Sequence, residues 1–184
     1  MINEWCSMAK FYPTARMTIP KEKPYRLTDL LKLFFRESEH NLKIQLAKAF
    51  LETVREEMPK GWPSERWPEL LLKVMAEHYP EAEELLKEYK ETLIWTKSKS
   101  EIPEILSERC RELGLVEEGQ KKARGRDVDL FTIYRGAYSV ITKVLREAGL
   151  VKKVDGRYQL SDDFERILEG IAEFWHYWRL GKAD

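Results

Sequence analysis

The chain has 184 residues, and its 32 basic and 32 acidic side chains give a formal net charge of zero. This length corresponds to one domain, or to one domain with a small appended module. With 43% hydrophobic and 35% charged residues, the composition excludes a disordered tail and a fibrous chain, and the overall charge gives no argument for a nucleic-acid partner.

The sequence also predicts where the protein resides. No apolar run approaches the roughly 18–20 residues that span a bilayer, and the first residues lack the apolar core of a signal peptide. The two cysteines, Cys6 and Cys110, are too few for a disulfide scaffold. We therefore expect a cytoplasmic protein with no membrane partner. Five side-chain amides among many Glu, Lys and Arg residues form a composition typical of thermophiles.

Residues 1–99 predict a helical region that follows an extended arm. The arm, 1–26, contains three prolines and no helical period, and Thr28 is a candidate N-cap for the first helix. Apolar residues then recur once per helical turn at Leu42, Leu46, Phe50 and Val54. Two further helices are expected, one from Pro63-Ser64 and an acidic one from Glu81.

The next segment predicts a helix and then a loop. Ser100 precedes a helix with Pro103 in its first turn, and Gly114 is suited to end it in a left-handed conformation. Segment 117–129 contains two glycines and a cluster of basic residues, and Val128 is its one large apolar residue. We interpret this segment as a loop.

Two helices are expected after the loop, a short one over 130–134 and a longer one over 137–148, separated by a turn at Arg135-Gly136. In the longer helix, one predicted buried stripe consists of Ala137, Val140, Ile141, Val144, Leu145 and Ala148. The opposite face, which we expect to be exposed, presents Tyr138, Ser139, Thr142, Lys143 and Arg146.

A β-hairpin is predicted over 151–160. Asp155-Gly156 separates two β-prone runs, and such a dipeptide favours a tight turn in which both central residues have positive φ. Pairing outward from this turn places Val151, Lys153, Tyr158 and Leu160 on one face. Ser161 or Asp162 then caps a last helix.

Two stretches in this region carry a family resemblance. The run from Leu145 to Val151, followed by the run from Gly156 to Ser161, resembles the end of the recognition helix and the wing of winged helix-turn-helix proteins. The resemblance covers about residues 100–180, and no family is recognised for 1–99. We therefore expect a mainly α protein: a helical N-terminal region, 1–99, and a winged helix-turn-helix domain, 100–184, with a two-stranded β wing and a C-terminal helix.

The resemblance implies double-stranded DNA binding, most simply by a transcriptional regulator. Helix 137–148 would lie in the major groove, and the wing, 151–160, would contact phosphates. The local charge supports this independently, because residues 119–157 contain ten basic and four acidic side chains, a net charge of +6. The interpretation requires these cations to gather on one convex face.

The expected DNA contacts divide by side-chain length. Four side chains are long enough to reach bases or phosphates: Arg135, Tyr138, Lys143 and Arg146. Ser139 and Thr142 are short and act only if the helix lies deep in the groove. Four further cations are expected to contact phosphates, which position a protein without specifying a sequence: Arg124, Arg126, Lys152 and Arg157.

The last helix predicts a protein partner. Its apolar residues alternate steps of four and three, the pattern of a packed helical seam, at Phe164, Leu168, Ile171, Trp175 and Trp178. We expect a homodimer that uses helix 162–180, with or without the N-terminal helices. The alternative is that this helix packs inside its own subunit against the helix at 105–113.

The sequence offers no catalytic, metal or cofactor site. None of the three histidines stands at a metal-ligand spacing from another His or Cys, and phosphate-binding and hydrolase motifs are missing. We therefore expect no enzyme, and a nucleic-acid-processing enzyme would need a carboxylate cluster that is not seen. The alternative to DNA binding is a non-catalytic protein-interaction or scaffold module built on a winged helix.

Overall fold

The computed structural model of the protein describes residues 42–121 and 127–179. This part of the chain is mainly helical, as expected, with six α-helices and two small antiparallel sheets. The predicted arm at 1–26 and the Thr28 cap lie outside the described residues.

The first half forms three α-helices and one short strand. These elements are α1 (Leu42–Glu56), β1 (Trp62–Pro63), α2 (Trp67–Ala76) and α3 (Glu81–Glu91). A 3-10 turn, Ser64–Arg66, leads into α2, and another, Ile94–Thr96, follows α3. The helical periodicity of the sequence is confirmed here, because the apolar side of α1 is buried.

The second half contains the remaining elements. They are α4 (Glu101–Glu112), β2 (Val116–Lys121), β3 (Asp127–Asp129), α5 (Leu130–Glu147), β4 (Val151–Val154), β5 (Arg157–Leu160) and α6 (Phe164–Arg179). Gly114 ends α4 with a φ of +71°, and Gly149 follows α5 with a φ of +73°. Both positions are left-handed, which favours glycine.

The predicted break between two helices at Arg135-Gly136 is wrong, because α5 is one helix of 18 residues. Its N-cap is Asp129, whose Oδ1 accepts a hydrogen bond from the Thr132 amide at 2.9 Å. Gly136 lies in the helix interior on the solvent side, and a Cβ there would meet no atom within 4 Å. The glycine lowers helix propensity by only about 1 kcal/mol, which the packing of the other face offsets.

The loop predicted over 117–129 is also wrong in part. β2 and β3 pair as an antiparallel hairpin in which Val116 faces Asp129 and Glu117 faces Val128. The register then shifts before Lys121 pairs with Asp127. Residues 122–126, which include the predicted contacts Arg124 and Arg126, lie outside the described residues.

The hairpin at 151–160 is confirmed, with the predicted register. Val151 pairs with Leu160 and Lys153 with Tyr158, and the turn residues Asp155 and Gly156 have φ values of +48° and +76°. The sequence did not predict the third strand of this sheet. β1 pairs with β5, so that Trp62 faces Tyr158 and the hairpin is joined to the start of α2.

A single apolar core contains residues from both halves of the chain. Phe50 of α1 makes edge-to-face contacts with Trp62, Tyr138 and Tyr158, with ring centroids 5.2–5.9 Å apart. Trp67 of α2 lies 5.7 Å from the ring of Phe131. The core therefore fixes α5 and the β4–β5 hairpin against α1 and α2.

Helix α6 bears on the predicted homodimer. Its backbone is helical over Phe164–Arg179, and Ile167 is buried beside Gly149. The side chains that would form most of the predicted seam lie outside the described part of the chain. The homodimer through helix 162–180 therefore stays a prediction.

Candidate nucleic-acid interface

Helix α5 is held at its N-terminus by a buried carboxylate. Asp129 has no exposed surface and accepts hydrogen bonds from the amide and the hydroxyl of Thr132 and from Arg111, at 2.9–3.0 Å. Burial alone would raise the pKa of Asp129, but its hydrogen bonds and the charge of Arg111 outweigh burial and lower that pKa. The carboxylate therefore stays charged and fixes the start of the helix.

The solvent-facing side of α5 carries four of the six contacts predicted on this helix. Arg135, Ser139, Lys143 and Arg146 are exposed on this helix. Successive residues of an α-helix are rotated by about 100°, so these four side chains share one face. Arg135 and Arg146 are separated along the helix axis by about 16 Å.

Beside this face lies a cleft of about 690 Å³, which we term the α5 cleft. It is bounded by the C-terminal half of α5, the start of β4 and the residue that follows β5. The cleft is lined by Ser139, Thr142, Lys143, Arg146, Glu147, Gly149, Val151, Lys152 and Ser161. Half of the predicted DNA contacts therefore line one cleft, and the convex face expected for these cations stays a prediction.

The cations of the α5 cleft differ in their partners. Lys143 and Arg146 are exposed, and neither forms an ion pair within residues 42–121 and 127–179. In contrast, Lys152 Nζ lies 2.9 Å from Oδ2 of Asp162, whose side chain is 93% exposed. Two positive charges of the cleft are thus available to an anionic partner, and a third is shared with a carboxylate.

Tyr138 and Thr142 do not lie on the exposed face, so that part of the prediction is wrong. Tyr138 is buried against Phe50 and stacks on Trp67 at 6.2 Å. Burial, with the neighbouring Tyr158, raises the pKa of the Tyr138 hydroxyl. Thr142 is 9% exposed, and its hydroxyl donates to the backbone carbonyl of Tyr138 at 2.9 Å. Neither side chain presents a free polar group to a groove.

Two other predicted contacts have roles in the fold. The Arg157 guanidinium donates hydrogen bonds to the backbone carbonyls of Lys60 and Gly61, which ties the hairpin to the segment before β1. The Arg135 guanidinium lies 5.8 Å from the centroid of the Trp67 ring, a cation–π contact. Arg135 remains exposed, whereas Arg157 is half-buried with its donors engaged.

Several lining residues were missed from the sequence. Val151, Gly149 and Ser161 enter the α5 cleft because the end of α5, β4 and the residue after β5 converge, and no local motif signals that convergence. Trp67 belongs to a region for which no role in the interface was predicted, yet it contacts Arg135 and covers Tyr138. The identity of the covering residue could not be inferred from helical periodicity alone.

A second cationic group lies between α2 and α3, and we term it the α2–α3 cluster. It consists of Arg66, Lys73 and Lys90 around Glu69, whose side chain is 8% exposed. The three cations lie 2.6, 3.7 and 3.5 Å from the Glu69 oxygens. Burial opposes the charged form, but the hydrogen bonds and charges of the cations outweigh it and lower the pKa of Glu69. This cluster binds its own carboxylate.

Other kinds of site find little support in the part of the chain that is described. No group of three His, Cys, Asp or Glu side chains there is arranged to hold a metal ion. Burial raises the pKa of the Cys110 thiol to about 12, so this thiol is not a reactive thiolate. None of the described helices has the length and apolar character that crossing a membrane requires.

Comparisons of this chain with protein-family models, with curated proteins and with solved structures give no match. The geometry of the α5 cleft is therefore the main basis for a functional conclusion.

Proposed function

We propose that the protein binds double-stranded DNA and acts in transcriptional regulation. In this proposal α5 enters the major groove and the β4–β5 hairpin serves as the wing of a winged helix. The observation that carries it is the α5 cleft, where Lys143 and Arg146 lie exposed beside Ser139 and Lys152 and have no ion-pair partner among the described residues. Cations without internal partners can release condensed counterions from DNA, which drives association.

The shape of the interface supports the same proposal. The α5 cleft is lined both by α5 and by Val151 and Lys152 of β4, so the helix and the hairpin border one site. A groove-bound helix followed by a hairpin on the adjacent phosphates uses such an arrangement. Within this proposal, Lys143 and Arg146 contact DNA directly, and Arg157 positions the hairpin.

The proposal is tested by titrating mixed-sequence duplex DNA against the protein at two salt concentrations, read by fluorescence anisotropy. We expect the double variant Lys143→Ala/Arg146→Ala to lose about 10- to 100-fold in affinity and to lower the slope of log affinity against log salt by about 1.8. The physical reason is the loss of two phosphate or base contacts.

The matched control is Lys48→Ala/Arg55→Ala, which removes the same two residue types from the exposed side of α1, away from the cleft. This control should retain wild-type affinity. Equal losses in both double variants would indicate non-specific attraction. Wild-type protein that does not bind duplex DNA would contradict the proposal and favour the protein-interaction module.

A further inference from the structure

Val140 departs from the apolar pattern of α5. The sequence places it in the buried stripe, and its neighbours Ile141 and Val144 are 0% and 2% exposed. Val140 itself is 40% exposed. At this exposure, Val140 contributes less buried apolar surface to the core than its neighbours do.

The surroundings of Val140 leave it accessible. Gly136, one turn earlier, has no side chain, and the space where a Cβ would stand is open. Ser139 and Lys143, its other neighbours on the surface of the helix, are both exposed. A flat group approaching α5 from solvent can therefore contact the methyl groups of Val140.

Charge is absent from this part of α5 and present on both sides of it. Residues 136–142 contain no charged side chain, whereas Arg135 precedes them and Lys143, Arg146 and Glu147 follow. Arg135 and Lys143, which flank this uncharged section, are about 12 Å apart along the helix axis. Around the axis, Val140 lies about 60° from Lys143 and about 120–140° from Arg146 and Arg135, at the other edge of the exposed side of α5. The major groove of B-DNA is about 12 Å wide and is walled by phosphates.

A helix placed in that groove would direct its cationic ends to the phosphate walls and its uncharged section to the base edges. The major-groove edge of thymine presents an apolar C5-methyl group, which an apolar side chain recognises by contact. We propose that Val140 contacts a thymine C5-methyl group and so sets a preference for thymine at one position of the bound sequence. This inference rests on the proposed DNA-binding function.

The test begins with selection of bound sequences from a randomised duplex pool by the wild-type protein. Each thymine of the selected sequence is then replaced singly by deoxyuridine, which removes only the methyl group. We expect one replacement to weaken wild-type binding about fourfold, the effect of one buried methyl group. The same replacement should leave the affinity of Val140→Ala unchanged, because the methyl has lost its partner.

The matched control is Val154→Ala on the hairpin, since Val154 is 41% exposed and of the same residue type. This variant should keep the wild-type loss on deoxyuridine. Selection without a required thymine, or equal deoxyuridine losses in the wild type and Val140→Ala, would overturn the inference. If binding nevertheless remains sensitive to salt and to Lys143→Ala/Arg146→Ala, the proposed DNA-binding function stands and only the role of Val140 fails.

Discussion

The α2–α3 cluster and the α5 cleft contain the same types of cationic side chain in opposite electrostatic surroundings. In the cluster, three cations converge on the buried carboxylate of Glu69. In the cleft, Lys143 and Arg146 face solvent and have no ion-pair partner among the described residues. The number of basic residues does not distinguish these two regions. They differ because only the α2–α3 cluster surrounds a buried carboxylate, that of Glu69, within the described residues.

The two regions therefore contribute differently to the protein. Glu69 is largely removed from water whereas its cations are about half exposed, so their attraction is partly screened by solvent and still helps to fix α2 against α3. The same charge acts on the buried Tyr89: burial and Glu69 together raise the pKa of Tyr89 to about 12. Among the described residues, Lys143 and Arg146 form no ion pair with a buried group, so their charge is available to a partner.

Asp129 extends this comparison to a carboxylate that is completely buried, and its loss should have the largest effect on stability. Asp129→Ala removes the N-cap of α5 and leaves Arg111 and Thr132 without their acceptor. We expect the free energy of unfolding to fall by about 2–4 kcal/mol. Urea denaturation at neutral pH measures this change.

The control for Asp129→Ala is Glu104→Ala, which removes an exposed carboxylate of α4 and should change stability by less than about 0.5 kcal/mol. Similar small changes in both variants would contradict the role assigned to the buried cap.

Helix α5 also shows what the sequence could predict. The helix itself and its buried residues Ile141, Val144 and Leu145 follow from periodicity. The continuity of the helix through Gly136 does not, because it depends on the packing of Phe131 and Tyr138, on either side of Gly136, against Trp67 and Phe50. The local sequence therefore predicted a turn at Arg135-Gly136, where contacts between distant residues maintain a helix.

The wrong predictions of burial for Tyr138 and Val140 have a similar origin. Both lie near the boundary between the buried and exposed sides of α5, where helical periodicity alone does not decide burial. Phe50 and Trp67, more than 70 residues away in sequence, cover Tyr138 and leave Val140 open. The hairpin at 151–160 was predicted correctly because its turn is specified by adjacent residues, Asp155 and Gly156.

Replacement of Glu69 tests the comparison directly. Glu69→Gln should lower the free energy of unfolding by about 1–3 kcal/mol, because three cations lose their shared counter-charge. Since the folded-state pKa of Glu69 is lowered, its contribution is fully present above the ordinary value of 4.5 and is lost as the pH falls through the folded value. Denaturation at neutral and acidic pH should show the wild type and the variant converging in acid.

Two controls accompany this measurement. Glu91→Gln breaks an ion pair with Lys87 in which both side chains are largely exposed, and it should cost less than about 1 kcal/mol. Lys143→Ala/Arg146→Ala should leave stability within about 0.5 kcal/mol of the wild type. Strong destabilisation by the double variant would mean that the two regions do not differ as described.

The smallest expected effect concerns Lys152, the cleft cation that has a carboxylate partner. Asp162→Asn removes that partner, 2.9 Å away, and leaves Lys152, like Lys143 and Arg146, without an ion pair among the described residues. If the cleft binds DNA, affinity should rise by about two- to fivefold, because phosphate no longer competes with an exposed ion pair for Lys152. Anisotropy titration at low salt measures the rise.

The control is Glu165→Gln, which makes an equal charge change at an exposed position of α6. It separates competition for Lys152 from a general reduction in negative charge, because only the competition requires Lys152. Asp162→Asn should accordingly give no gain in a Lys152→Ala background, and a gain that persists there would place the effect outside the ion pair.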